Sequence, residues 1–173
     1  TYLHMCWHYA SLEMDYGLMQ RAIERLEEAV AAPVRERGEC DQGAWCRYML
    51  GCALGFSGGN RAAMKPLREA RRLSRGSSDD VLHLKLAHRL AYGWFVQWHF
   101  DRALRAIDGL IRTAERLGRT RGLSGYYVLK GACPGTRGQF APAVEAAHRS
   151  LEWAHRHQRP RDTLIALLLL AAI

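Results

Sequence analysis

No Cys-x-x-Cys pair, no stretch of strand-like alternation and no membrane-length apolar run occurs in these 173 residues. Each absence removes a class of protein. Without a period-two pattern the chain reads as all-α. The longest oily run, residues 164–173, is half of the ~20 residues that a spanning helix needs, so no membrane partner is expected. The five cysteines (Cys6, Cys40, Cys46, Cys52 and Cys133) are odd in number and unpatterned. They read as buried thiols in a reducing compartment, which points to the cytoplasm. The first residues, from Thr1, carry no secretory or charged targeting pattern.

Catalytic signatures are equally scarce. Gly55-Phe56-Ser57-Gly58-Gly59 has the glycines of a phosphate loop, but no Lys-Ser/Thr follows to supply the cation and the magnesium ligand. No nucleophile elbow or carboxylate pair stands out. His4 and His8 lie one helical turn apart, and His155 and His157 sit near the end of another helix. Neither pair has a third ligand close in sequence, whereas zinc takes three or four. Neither an enzyme nor a metal or cofactor site is therefore expected.

Positive charge is plentiful, with 25 Lys and Arg against 17 Asp and Glu, a net +8. The excess gathers at Arg68, Arg71, Arg72 and Arg75, at Arg112, Arg116, Arg119 and Arg121, and at Arg156, Arg159 and Arg161. Such runs suit an anionic partner or simply a solvated outer face. The aromatics do not interleave with them as in a strand-binding groove, so the solvated face is preferred and direct DNA contact is not expected.

The informative signal is a repeat. Ala10, Gly51, Ala91 and Gly131 form one column; Gly17, Gly58, Trp98 and Gly138 follow seven residues later, and Ala22, Ala63, Ala103 and Ala143 five after that. Met19, Asn60, Phe100 and Phe140 lie just past the turn column. The steps are 41, 40 and 40 residues. Leu26, Leu67, Ile107 and Ala147 continue one apolar stripe, with Ala29, Ala70, Leu110 and Ser150 a turn further on. Each unit thus reads as two helices joined by a tight turn, packed closely where the small residues face each other. Glycine supplies the left-handed conformation at the turn. Trp98 breaks that rule, so the third turn is expected to differ in geometry. Pro66 is expected to bend or shorten its helix and Pro134 to interrupt its own, while Pro142 lies near a helix start, where proline is tolerated.

At these columns the chain resembles the tetratricopeptide repeat, a helix–turn–helix unit with a small-residue, glycine, aromatic and alanine signature. The period is nearer 40 than the family's 34 residues, and its proline is irregular, with only Pro33 and Pro160 near unit junctions. Longer units of this kind are similar to the sensor arrays of MalT-type and other large LuxR-family bacterial transcriptional activators. The resemblance implies a right-handed α-α superhelix of about four helix–turn–helix units, near residues 1–38, 39–78, 79–120 and 121–160, with a fifth beginning at 161–173. The whole reads as one solenoid, a piece of a longer array, because the last helix is oily where a solenoid end is normally polar.

In that family the first helices line the concave surface. The resemblance therefore lists Trp7, Met14, Trp45, Tyr48, Lys85, His88, Tyr92 and Phe95 as groove residues, beside His4, Ser11, Cys52 and Phe56, and the small Val128, Ala132 and Thr136 in the fourth unit. Trp7, Trp45, Tyr48 and Tyr92 divide between lining the groove and packing the seam. Trp94, Trp98 and Phe100 are expected to seal the seam, and Trp153 to pack against the fifth unit. A lining with Lys85 as its one cation suits an apolar or aromatic small-molecule effector, or an amphipathic peptide. Two functions follow. One is a non-catalytic ligand- or protein-binding regulatory domain, including the effector-sensing region of a LuxR-type regulator. The other is a protein-interaction scaffold that self-associates through its terminal helix, giving a homo-oligomer.

Overall fold

The structure is a computed structural model that describes residues 2–31 and 37–172, with backbone alone for 37–39. Pro33 lies outside the described residues. All regular structure among them is helical: α1 Tyr2–Asp15, α2 Met19–Ala31, α3 Arg37–Phe56, α4 Asn60–Leu73, α5 Asp80–Val96, α6 Phe100–Arg116, α7 Leu123–Gly135, α8 Phe140–Arg156 and α9 Pro160–Ala171. Short 3-10 turns cover Ser74–Gly76 and Thr120–Gly122. No helix among the described residues is long and apolar enough to cross a membrane. The chain divides into two compact units, Thr1–Gly93 and Trp94–Ile173. Unit one holds α1 to α4 and α5 as far as Gly93; unit two holds the remainder.

Within each unit the repeat columns do the packing that their size predicts. Ala10, Ala91, Ala22, Ala103 and Ala143 are fully buried, and Ala63 nearly so. A Cβ placed on Gly51 would lie 3.2 Å from the Ala63 carbonyl oxygen and 2.5 Å from Leu67 Cγ. One placed on Gly131 would lie 3.0 Å from the Ala143 carbonyl oxygen. The small-residue and alanine columns are thus opposed across the α3/α4 and α7/α8 pairs, and neither gap admits a side chain. The stripe behind them, Leu26, Leu67, Ile107, Ala147, Ala29, Ala70, Leu110 and Ser150, is buried throughout. Each large member stabilises the fold by roughly 1.5–3 kcal/mol.

The turns repeat just as closely. At each, one amide bonds back three residues and the next bonds back five, the double closure that ends a helix with a left-handed residue. The pairs are Gly17→Met14 and Leu18→Glu13, Gly58→Gly55 and Gly59→Leu54, Trp98→Phe95 and His99→Trp94, and Gly138→Gly135 and Gln139→Pro134. Trp98 adopts φ 64°, alongside Gly17 at 77°, Gly58 at 86° and Gly138 at 72°. The expectation of a different third turn is therefore corrected: the hydrogen-bond closure dictates the conformation, and tryptophan accepts the strain. The same closure ends α6 at Gly118 and α8 at Gln158, a second non-glycine with positive φ at 51°.

Two further expectations change. Trp98 does not seal a seam; it is 74% exposed, edge-on to Phe100 at 5.6 Å. Pro134 does not interrupt α7, because it falls in the last turn, and its carbonyl accepts the Arg137 and Gln139 amides. Helix α4 runs through the buried Pro66 and spans 14 residues, against 17 in α6 and in α8.

Unit two also contains a polar tie. Ser124 Oγ donates to Asp162 at 2.6 Å and Ser150 Oγ donates to the Ser124 carbonyl at 2.9 Å, all across the α7–α8–α9 contact. Two buried hydroxyls are thereby satisfied, which avoids a desolvation cost of ~1–3 kcal/mol each.

Candidate partner-binding face

Helices α1, α3 and α5 of unit one bring most of the anticipated groove residues together. Trp7 and Trp45 stack with ring centroids 5.1 Å apart and planes 17° from parallel. Tyr48 stands edge-on to Trp45 at 5.5 Å. Lys85 places its Nζ 5.6 Å from the Trp45 ring and 5.9 Å from that of Tyr48. The repeat explains the meeting, since Lys85 occupies in α5 the register position that Trp45 occupies in α3, forty residues earlier. Exposed cation–π contacts of this kind contribute about 0.5–1 kcal/mol.

Trp7 is held on its other side by His8, stacked at 3.7 Å, with His4 edge-on at 5.6 Å. Its indole Nε1 is buried and meets no acceptor among the described residues. Trp45 differs: its Nε1 donates to Asp79 Oδ2 at 3.0 Å, while Asp79 Oδ1 accepts the Leu82 amide at the start of α5. One carboxylate thus caps a helix and fixes an indole. Sequence reasoning passed over Asp79, although an acidic residue just before an apolar helix is a recognisable capping signal.

Arg89 was also overlooked, and it corrects the reading of Lys85 as the lining's one cation. One turn beyond Lys85, it donates from Nη2 to the Cys52 carbonyl at 3.3 Å and covers Phe56 at 4.6 Å and Tyr92 at 5.5 Å. Its i+4 spacing from Lys85 was the available signal. Of the anticipated residues, Tyr48 and Cys52 are buried, Trp7, Trp45 and His88 half-buried, and Lys85, Tyr92 and Phe56 exposed. Met14 is half-buried seven residues along α1 from Trp7. Phe95 belongs to unit two, where its ring meets Phe100 at 5.7 Å. Val128, Ala132 and Thr136 are likewise in unit two, where the Thr136 hydroxyl donates to the Ala132 carbonyl at 3.0 Å.

The chemistry behind the face is quiet. Burial pushes the Cys46 thiol up to about 12, and its Sγ donates to the Leu3 carbonyl at 3.3 Å. In unit two, burial pushes the Cys133 thiol up to about 11. Both thiols stay protonated at neutral pH and make poor nucleophiles. At the edge of unit one, Arg25 grips Glu13 through two bonds of 3.0 and 2.7 Å, and that hydrogen bonding holds the carboxyl below its usual range. Stacked indoles, a phenol edge and two cations lie together on these helices.

No protein-family model matches the sequence, and no curated protein matches it. Solved structures do match its fold. The chain is 20% identical to MamA, with 91% of this chain and 76% of that one aligned at a TM-score of 0.63. It is 14% identical to a Podosopora anserina protein with nearly identical kinesin-light-chain TPR-like repeats, over 98% and 94% of the two chains, at a TM-score of 0.67. It is 16% identical to YrrB, described as a TPR protein with an unusual peptide-binding site, over 94% and 71%, at a TM-score of 0.61. At such identities the likeness concerns architecture: the chain has an all-α, TPR-like helix–turn–helix repeat fold.

Proposed function

We propose that the chain is a non-catalytic protein-interaction module that takes a peptide segment across the aromatic face of unit one. The observation that carries this reading is the Trp7–Trp45–Tyr48 cluster with Lys85 over it, stacked but not sealed from solvent. Flat aromatic area with a cation beside it suits a segment that combines an apolar or aromatic side chain with a carboxylate. YrrB, of the same fold, is described by its peptide-binding site, which supports this choice. A small-molecule effector and a LuxR-type sensing role find no such support among the matching structures. The five unbridged cysteines accord with a cytoplasmic setting.

The test is to select peptides on the folded chain by display and measure their affinities by fluorescence anisotropy. Lys85→Glu, an exposed change, is expected to weaken the best peptides at least tenfold while lowering the melting temperature by no more than about 4 °C, through loss of its cation–π contacts. Unaltered affinity in Lys85→Glu would remove this face from consideration.

A second mode rests on its own observation. Leu164, Ile165, Leu167 and Leu168 of α9 are 38–59% exposed, while Ala166 is buried. Self-association through this apolar face is the corresponding proposal. Sedimentation equilibrium should show a dimer that Leu164→Lys/Leu168→Lys dissociates; a monomer at high concentration contradicts it.

A further inference from the structure

The arginines of unit two are not scattered. Arg116, Arg119 and Arg121 flank the turn after α6, and Arg156, Arg159 and Arg161 flank the turn after α8, each forty residues from its counterpart. All six are exposed. Both turns close through a left-handed residue, Gly118 at φ 63° and Gln158 at φ 51°. The turns also touch: Thr120 Oγ1 and His157 Nε2 lie 3.1 Å apart, and Arg159 Nη1 donates to the Arg121 carbonyl at 2.9 Å. Two arginine triplets therefore meet along one edge of the unit.

The fold does not demand them. The same register positions after α4 hold Gly76, Asp79 and Val81. Nor does neutralisation explain them. Arg159 pairs with Asp162 at 2.9 Å, and Arg156 lies over the Trp153 ring at 4.6 Å. Among the described residues, none of the other arginines of this edge is in an ion pair. Like charges on touching turns repel, most strongly inside the ~8 Å screening length of physiological salt, so the cluster costs stability unless an anionic partner offsets it.

We propose that this edge binds a nucleic-acid strand through its phosphates. Three features favour phosphate over an acidic peptide. Unit two carries 12 Lys and Arg against 6 Asp and Glu, and 11 of the 12 are arginine, whose planar fork matches phosphate. The charges recur in register, as they do along a phosphate backbone. Beside them Trp153 and His157 stack at 5.9 Å and 12°, a flat surface adjoining the row.

The test measures binding of the full chain to a labelled oligothymidine 20-mer by anisotropy across 50–300 mM salt. With about three to five phosphates engaged, log K should fall against log salt with a slope of about −2 to −3.5. Arg119→Gln/Arg121→Gln/Arg161→Gln should lose at least tenfold in affinity and flatten the slope by about 2. Arg61→Gln/Arg68→Gln/Arg72→Gln, an equal charge change on exposed positions of unit one, should stay within twofold. Should the first triple variant not fold, Arg161→Gln alone should lose two- to threefold. No binding at 50 mM salt, equal losses in both triple variants, an unchanged Arg161→Gln, or polyglutamate binding as tightly as the oligonucleotide would each overturn the proposal.

Discussion

Units one and two share a hairpin geometry and differ in nearly everything they show to solvent. Each contains eight aromatic residues. Unit one gathers several of them on its first helices, as the Trp7–Trp45–Tyr48 cluster. Unit two places Trp98 and Phe100 at a turn and buries Tyr126. Charge divides as well: 13 basic against 11 acidic side chains in unit one, 12 against 6 in unit two. Opposed small residues and closed turns fix the hairpin, and these use few positions. The remaining positions are free to become a face for one kind of partner or an edge for another.

The most severe way to break the comparison is to attack what the units share. Ala63→Trp and Ala103→Trp force a large side chain into positions 5% and 0% exposed. Each should cost at least the ~1–3 kcal/mol typical of overpacking, and both should lower the melting temperature alike. Tolerance of either would mean that the columns do not set the helix spacing. Next comes what they do not share. Trp45→Ala removes a stack, a cation–π contact and the Asp79 hydrogen bond together, and should cost about 2–4 kcal/mol. Trp153→Ala, which loses only the His157 stack and the Arg156 contact, should cost less in the same denaturant titration.

Smaller effects sharpen the turns. Gln158→Gly, at a left-handed position, should stabilise by about 1 kcal/mol, or roughly 2–4 °C. Gly58→Ala should do the reverse, by thermal melting. The slightest change is electrostatic. Glu13 has its carboxyl depressed by Arg25, so its contribution is present above the ordinary carboxylate range and is lost as pH falls through the depressed value. Glu13→Gln should flatten that acid limb in pH-dependent melts while leaving neutral-pH stability within ~1 kcal/mol. An unchanged acid limb would show the pair to be inert.

Much of this was legible in the sequence for a physical reason. Close helix approach permits only Gly or Ala at fixed spacing, so Ala10, Gly51, Ala91 and Gly131 reveal the fold without coordinates. Trp98 misled, because the hydrogen-bond closure of the helix end overrode the residue's own backbone preference. Of the candidate face, the Lys85 position followed from register, whereas the reach of Arg89 back to the Cys52 carbonyl depends on side-chain paths that no spacing reports. Phe95 shares the helix of Lys85 and meets Phe100 within unit two, a pairing that helix spacing alone does not report. The arginine runs read as a solvated face rather than a nucleic-acid contact for a related reason: the triplets are visible at forty-residue spacing, but only the Thr120–His157 contact shows that their turns adjoin.

The central claim, that unit one's aromatic face receives the partner, has a direct readout in the five tryptophan indole N–H resonances. Saturation with a display-selected peptide should shift those of Trp7 and Trp45 and leave Trp94, Trp98 and Trp153 in place. Movement at Trp98 or Trp153 with Trp7 and Trp45 unmoved would contradict the account.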